Sequence, residues 1–144
     1  MMDSNVTIKA FGYPDTVLKE YEYWTVLLRP DQVTLGTVVI ANKSNATHLG
    51  EVPESQWSEF SKVSREVELA LINTFGAEKF NYLALMMKDP NVHFHVVPRY
   101  SKPVTFEDTT FEDKDWPLKT ELNPIEVQKD VFEALKVKLS EVMS

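Results

Sequence analysis

Residues Asn91–Tyr100 read NVHFHVVPRY and carry two of the three histidines in the chain. Alternation along an extended strand sends His93 and His95 to one side with Asn91 and Val97, and Val92, Phe94 and Val96 to the other. The strand therefore has a chemical face and a packing face. Near pH 7 imidazole serves as a neutral nucleophile, a general base or a metal ligand, so two rings aimed into one space admit all three readings. The simplest alternative is a structural pair, hydrogen-bonded at the edge of a core. Arg99, just beyond Pro98, adds a cation and shifts the balance towards a site. A metal site would need further ligands such as His48, Glu51 or Asp89, and no second spaced ligand motif accompanies the pair.

The bulk properties narrow the choice. With 144 residues, 43% hydrophobic and 26% charged, the chain suits a single globular domain, 1–144, with its own core. Cysteine is absent, which removes disulfides, thiolate catalysis and thiolate zinc sites. The 22 acidic against 15 basic residues give a net charge of -7, which disfavours nucleic acid as a partner and favours a small ligand. No apolar run approaches the length of a membrane span, and the start of the chain lacks the pattern of a secretion signal. We therefore expect a cytoplasmic protein with no membrane partner.

Working outward from the histidine strand, KFNYLALMM (79–87) reads as a strand joined to it through KDPN (88–91) as a hairpin. Further upstream, Trp57, Phe60, Val63, Val67, Leu71 and Phe75 recur every three or four residues, predicting a long amphipathic helix from Pro53 to Phe75 with Gly76 as its C-terminal cap. Before it, YEYWTVLL (21–28) and TVVIAN (37–42) predict a hairpin across the loop RPDQVTLG (29–36), and VTIKAF (6–11) suggests a short strand. On the C-terminal side, SKPVTFEDTTFEDKDWP (101–117) reads as an irregular acidic and aromatic arm. Asn123-Pro124-Ile125-Glu126 resembles a helix start, with Val127, Val131, Leu135 and Leu139 as one stripe. Residues 101–144 are thus an arm followed by a C-terminal helix. The fold class expected is α+β, with a mainly antiparallel sheet, one long amphipathic helix and a C-terminal helix.

NVHFHVVPR resembles the histidine-triad (HIT) signature, three histidines alternating with apolar residues and often followed by Pro-Arg. The similarity extends over roughly residues 21–100, through LRPDQVTLGTVVIAN, the long helix and LALMM, in the order of that family. Aligning on Val96-Val97-Pro98-Arg99 places Asn91 at the first triad position, His93 at the central, nucleophilic one and His95 at the third.

The resemblance implies a HIT-like nucleotide hydrolase that cleaves a dinucleoside polyphosphate, such as diadenosine tetraphosphate, or a related nucleoside phosphate conjugate. His93 would attack the α-phosphorus and water would hydrolyse the nucleotidyl-histidine; a phosphorylase or nucleotidyltransferase differs only in the acceptor. His93 and His95 are the implied catalytic pair. Asn91, Arg29, Gln32, Thr37, Asn42 and Arg99 are candidates for binding nucleotide or phosphate, with no metal ligand among them. Arg29 stands where many relatives have an acid or amide near the ribose, and Met87 where some have Gln. No cofactor is required, although a divalent cation can arrive with the substrate, and a homodimer is expected from the resemblance and from the aromatic segment around Phe106, Phe111 and Trp116. A catalytically weak nucleotide-binding module and a histidine metalloprotein are the alternatives, motivated by Asn91 with Met87 and by the imidazole pair respectively.

Overall fold

The protein is described by a computed structural model covering residues 4–144. In chain order these form helix α1 (Val6–Ala10), strands β1 (Val17–Glu20), β2 (Trp24–Leu28) and β3 (Val38–Asn42), helix α2 (Glu54–Phe75), strands β4 (Lys79–Leu83), β5 (His93–Arg99), β6 (Val104–Phe106) and β7 (Thr109–Phe111), and helix α3 (Lys129–Met143). Strands β1 to β5 make one antiparallel sheet in the order β1-β2-β3-β5-β4. The architecture is α+β, as the sequence pattern led us to expect.

Alternation decides what each face of the sheet meets. Trp24, Val26 and Leu28 of β2, Val38 and Ile40 of β3, and Val96 of β5 join Val63, Val67 and Leu71 of α2 and Val131, Leu135 and Leu139 of α3 in the main core. The apolar stripe of α2 was readable at its helical period, and Gly76 ends the helix in the left-handed conformation at φ 77°. Trp24 is fully buried among the rings of Trp57, Phe60 and Phe94, and its indole N–H donates to the Gln56 carbonyl. Burying such a ring contributes about 1.5–3 kcal/mol, and the satisfied N–H prevents a desolvation loss from offsetting it. The opposite face carries Leu27, Val39 and Ala41, and α1 lies over them through Ile8.

Three local expectations are corrected. Residues 6–10 form a helix, not a strand: the Asn5 side chain caps it by accepting from the Ile8 N–H, and Ile8 and Phe11 then fall on one side at i, i+3 spacing. In the acidic arm, Val104–Phe106 pairs with Thr109–Phe111 as a hairpin. Glu107 and Asp108 make its two-residue turn at φ 51° and 60°, a conformation for which the sequence offered no glycine signal. Helix α3 begins at Lys129 after Gln128, because Ile125 is held by a two-way backbone bridge to Gln32 and cannot enter the helix. The sheet also gains β1, paired outside β2, which the sequence reading passed over.

Candidate functional site

β3 and β5 pair so that Ala41 lies opposite His93 and Val39 opposite His95, which puts both imidazoles on the α1 face. The rings stand 5.0 Å apart at 78°. The His93 Nδ1 is 2.7 Å from the Asn91 carbonyl oxygen. A carbonyl only accepts, so Nδ1 carries the proton and Nε2 keeps the free lone pair. That is the tautomer a nucleophilic imidazole needs. Burial first, and then the neighbouring His93 and Arg29, lower the His95 pKa to about 4, so this ring is neutral at pH 7. Its Nδ1 is buried without a hydrogen-bond partner.

The remaining candidate residues separate. Arg29 follows β2 and is close enough to act electrostatically on His95, while its Nε donates to Asp31 at 2.8 Å. Gln32 is fully buried inside the 29–37 loop. Its amide donates to the carbonyls of Arg29 and Thr37 and accepts from the N–H groups of Gly36 and Thr37. The Thr37 hydroxyl closes the same loop on Thr34. Both side chains shape the loop and have no group left for a ligand. Asn42 lies on the α2 side, bonded to Gln56, the Tyr23 carbonyl and Ser44.

Arg99 is buried and bidentate to Asp113 at 2.7 and 2.9 Å, with a third bond to Asn81 at 2.7 Å. It ties the acidic arm to the sheet. Burial opposes ionisation of Asp113, yet hydrogen bonds from Arg99 and the Tyr100 N–H hold its pKa below the usual carboxylate range.

Asn91 is engaged through its side chain as well. Its Oδ1 accepts from the Thr7 hydroxyl at 3.1 Å and the Thr7 N–H at 3.4 Å, its backbone N–H donates to the Thr7 hydroxyl at 2.9 Å, and its Nδ2 donates to the Asn45 carbonyl. Asn91 thus holds α1. The sequence reading missed that helix altogether. Phe11, at its end, sits 5.5 Å from each imidazole. The local signal was there to be read: Asn5 as a cap, Ile8 and Phe11 at helical spacing, then Gly12.

His48 is at the surface beside Glu51, and Met87 is exposed. Among the described residues no cluster of three or more His, Asp or Glu side chains is placed to hold a metal ion. A cavity of about 800 Å³ lies on the other flank of α1, lined among others by Lys9, Tyr13, Glu20, Tyr23 and Lys43. The unpartnered hydroxyl of Thr25 is buried at its wall.

The five-stranded antiparallel sheet carries two alternating imidazoles on β5, the second strand after the long helix. A histidine triad protein from Marinobacter aquaeolei superposes with a TM-score of 0.75 and 22% identity, covering 99% of this chain and 96% of that one. The fold is that of the histidine-triad proteins. A histidine triad protein from Bradyrhizobium japonicum shares this HIT fold at a TM-score of 0.74 and 15% identity, covering 99% of this chain and 98% of its own. A hypothetical histidine triad nucleotide-binding protein from Sulfolobus tokodaii gives 0.67 and 19%, covering 89% and 83%. No protein-family model and no curated protein matches the sequence. The HIT fold is therefore established through shape, at identities where side-chain roles have to be argued from this chain's own geometry. Among the described residues no helix is long and apolar enough to cross a membrane.

Proposed function

We propose that the protein binds a nucleotide and cleaves its phosphate linkage through a nucleotidyl-histidine at His93 Nε2. The observation that carries this reading is the His93 ring, held with Nδ1 on the Asn91 carbonyl and its second nitrogen free, on a strand of the HIT fold. The lone pair of Nε2 would displace the leaving phosphate from the α-phosphorus, and water would then break the labile P–N bond, returning the neutral ring. The preferred substrate class is a dinucleoside polyphosphate or a related nucleoside phosphate conjugate, with phosphate or another nucleophile replacing water if the enzyme is a phosphorylase or transferase. Arg29, whose charge acts on His95, is the cation that would meet the phosphate. A divalent cation would come with the substrate.

A panel of nucleotide substrates with product identification, run on the wild type and on His93→Ala, tests the reading. Mononucleotide release that falls by orders of magnitude in the variant supports it, and equal turnover in both rejects it.

The second reading is a nucleotide-binding module with little turnover. It is favoured by the side-chain amide of Asn91, which is engaged with Thr7 and Asn45 where the triad pattern has a histidine. Calorimetric binding of a mononucleotide without turnover would decide for it.

A homodimer belongs to the same proposal, but its basis moves. Phe111 is buried in the chain's own core and Phe106 packs on Phe75, so the aromatic arm is not a free surface. The sheet has edge strands β1 and β4, and β4 is followed by exposed Leu85 and Met87. Mass measurement by light scattering at micromolar concentration tests the dimer.

A further inference from the structure

A phosphorus centre must come within about 3–3.5 Å of the attacking nitrogen, in line with its leaving group, for the chemistry at His93 to begin. In this structure His93 is 2% exposed and His95 8%, and the ring of Phe11 packs against both. The two imidazoles are ready in tautomer and geometry, yet show little of themselves to solvent. What closes them is α1, a helix of five residues that cannot be stable by itself and is held by contacts to the sheet.

Those contacts are few and local. Asn5 donates to the carbonyls of Asn42 and Ser44, Ile8 rests on Leu27, Val39 and Ala41, and Thr7 exchanges three hydrogen bonds with Asn91. The far flank of the helix faces the 800 Å³ cavity, so α1 is packed on one side only. Gly12, at φ 92°, directly follows Phe11 and gives the chain a pivot between the helix and the turn that leads into β1.

We propose that α1 is a lid over the histidine pair, with Phe11 as its plug and the Thr7–Asn91 hydrogen bonds as its latch. Asn91 then has a defined task at the first triad position: its backbone carbonyl sets the His93 tautomer while its amide and N–H hold the lid shut. Substrate gains access only to the open fraction, so the apparent affinity is reduced by that fraction. The purpose of the lid rests on the nucleotide reading above, but its existence does not.

The test is the rate at which diethyl pyrocarbonate modifies each histidine, mapped by tandem mass spectrometry, with His48 as the internal standard because its side chain is 80% exposed. In the wild type His93 and His95 should react at least about tenfold more slowly than His48, the protection given by a lid that is open a minor fraction of the time. Thr7→Val removes the latching hydroxyl at nearly constant shape, and Phe11→Ala removes the plug. Each should raise the rate at the pair by roughly tenfold, as expected for one or two lost hydrogen bonds or a lost ring contact, while unfolding stays cooperative. A pair that reacts as fast as His48 in the wild type overturns the lid, and so does unchanged protection in Thr7→Val or in a folded Phe11→Ala. Nucleotide titration separates the two proposals. Apparent affinity that rises by the same factor as the modification rate supports both, whereas greater exposure with no binding or turnover keeps the lid and rejects the nucleotide reading.

Discussion

The Asn91 carbonyl meets the His93 Nδ1 at 2.7 Å, and this backbone contact determines which nitrogen of the ring is free to react. Because the acceptor belongs to the main chain, Asn91→Ala should leave the tautomer in place. Two-dimensional 15N spectra at neutral pH should show the Nδ1–H form of His93 in both proteins, and the Nε2–H form in either would refute the assignment. The same substitution removes the amide that serves Thr7 and Asn45, so it should cost about 1–3 kcal/mol in urea unfolding.

His95 makes stability depend on pH. Its pKa of about 4 in the folded protein lies below the ordinary value of 6.5, so between these values the unfolded chain binds more protons. The contribution is complete above pH 6.5 and is lost as pH falls towards 4. Its size is on the order of 3 kcal/mol, and His95→Gln should flatten the dependence by that amount. Urea midpoints measured from pH 7 to pH 4.5 check this, and a wild-type slope equal to that of the variant would count against it.

Arg99 and Asp113 are 4% and 2% exposed in their side chains, so removing one partner leaves a charge buried without compensation. Asp113→Ala should destabilise the protein by about 3–5 kcal/mol. The arm from residue 101 should also become the first site of limited proteolysis, since Asp113 is its link to Arg99 and to the Tyr100 N–H. Cleavage that begins elsewhere would show that other contacts hold the arm.

Gly36 sits at φ 92° where the loop before β3 crosses α2, and a Cβ there would collide with Leu71 Cδ2. Gly36→Ala combines left-handed strain with overpacking against a buried leucine, and should cost about 2–4 kcal/mol. Gly50→Ala, where a Cβ meets nothing within 4 Å, is the matched control and should change the urea midpoint little.

The sequence by itself determined the elements whose signal is periodic and local. The two-residue alternation of His93–Arg99 divided that strand into an imidazole face and a core face. The three-to-four-residue recurrence from Trp57 to Phe75 gave α2, and the chain order of strands around it gave the α+β class. These patterns are legible because burying one side of a strand or helix demands them residue by residue. The placing of His93 and His95 on one face of that strand was legible for the same reason, whereas the contact of the Asn91 carbonyl with His93 was not.

Only the tertiary structure decided which polar side chains are free. Gln32, Thr37, Asn42 and Arg99 have the right chemistry for a ligand, but each is satisfied by partners inside the protein. For Arg99 the partner is Asp113 in the arm, and for Asn91 it is Thr7, 84 positions away. A buried polar group has to find its hydrogen bonds wherever the fold brings a partner, and sequence spacing does not record that meeting. The cover over the histidines has the same origin. Five residues, Val6–Ala10, become a helix because Asn5 caps them and the sheet face beneath offers Leu27, Val39 and Ala41 to Ile8, a surface that exists only once β2 and β3 have paired.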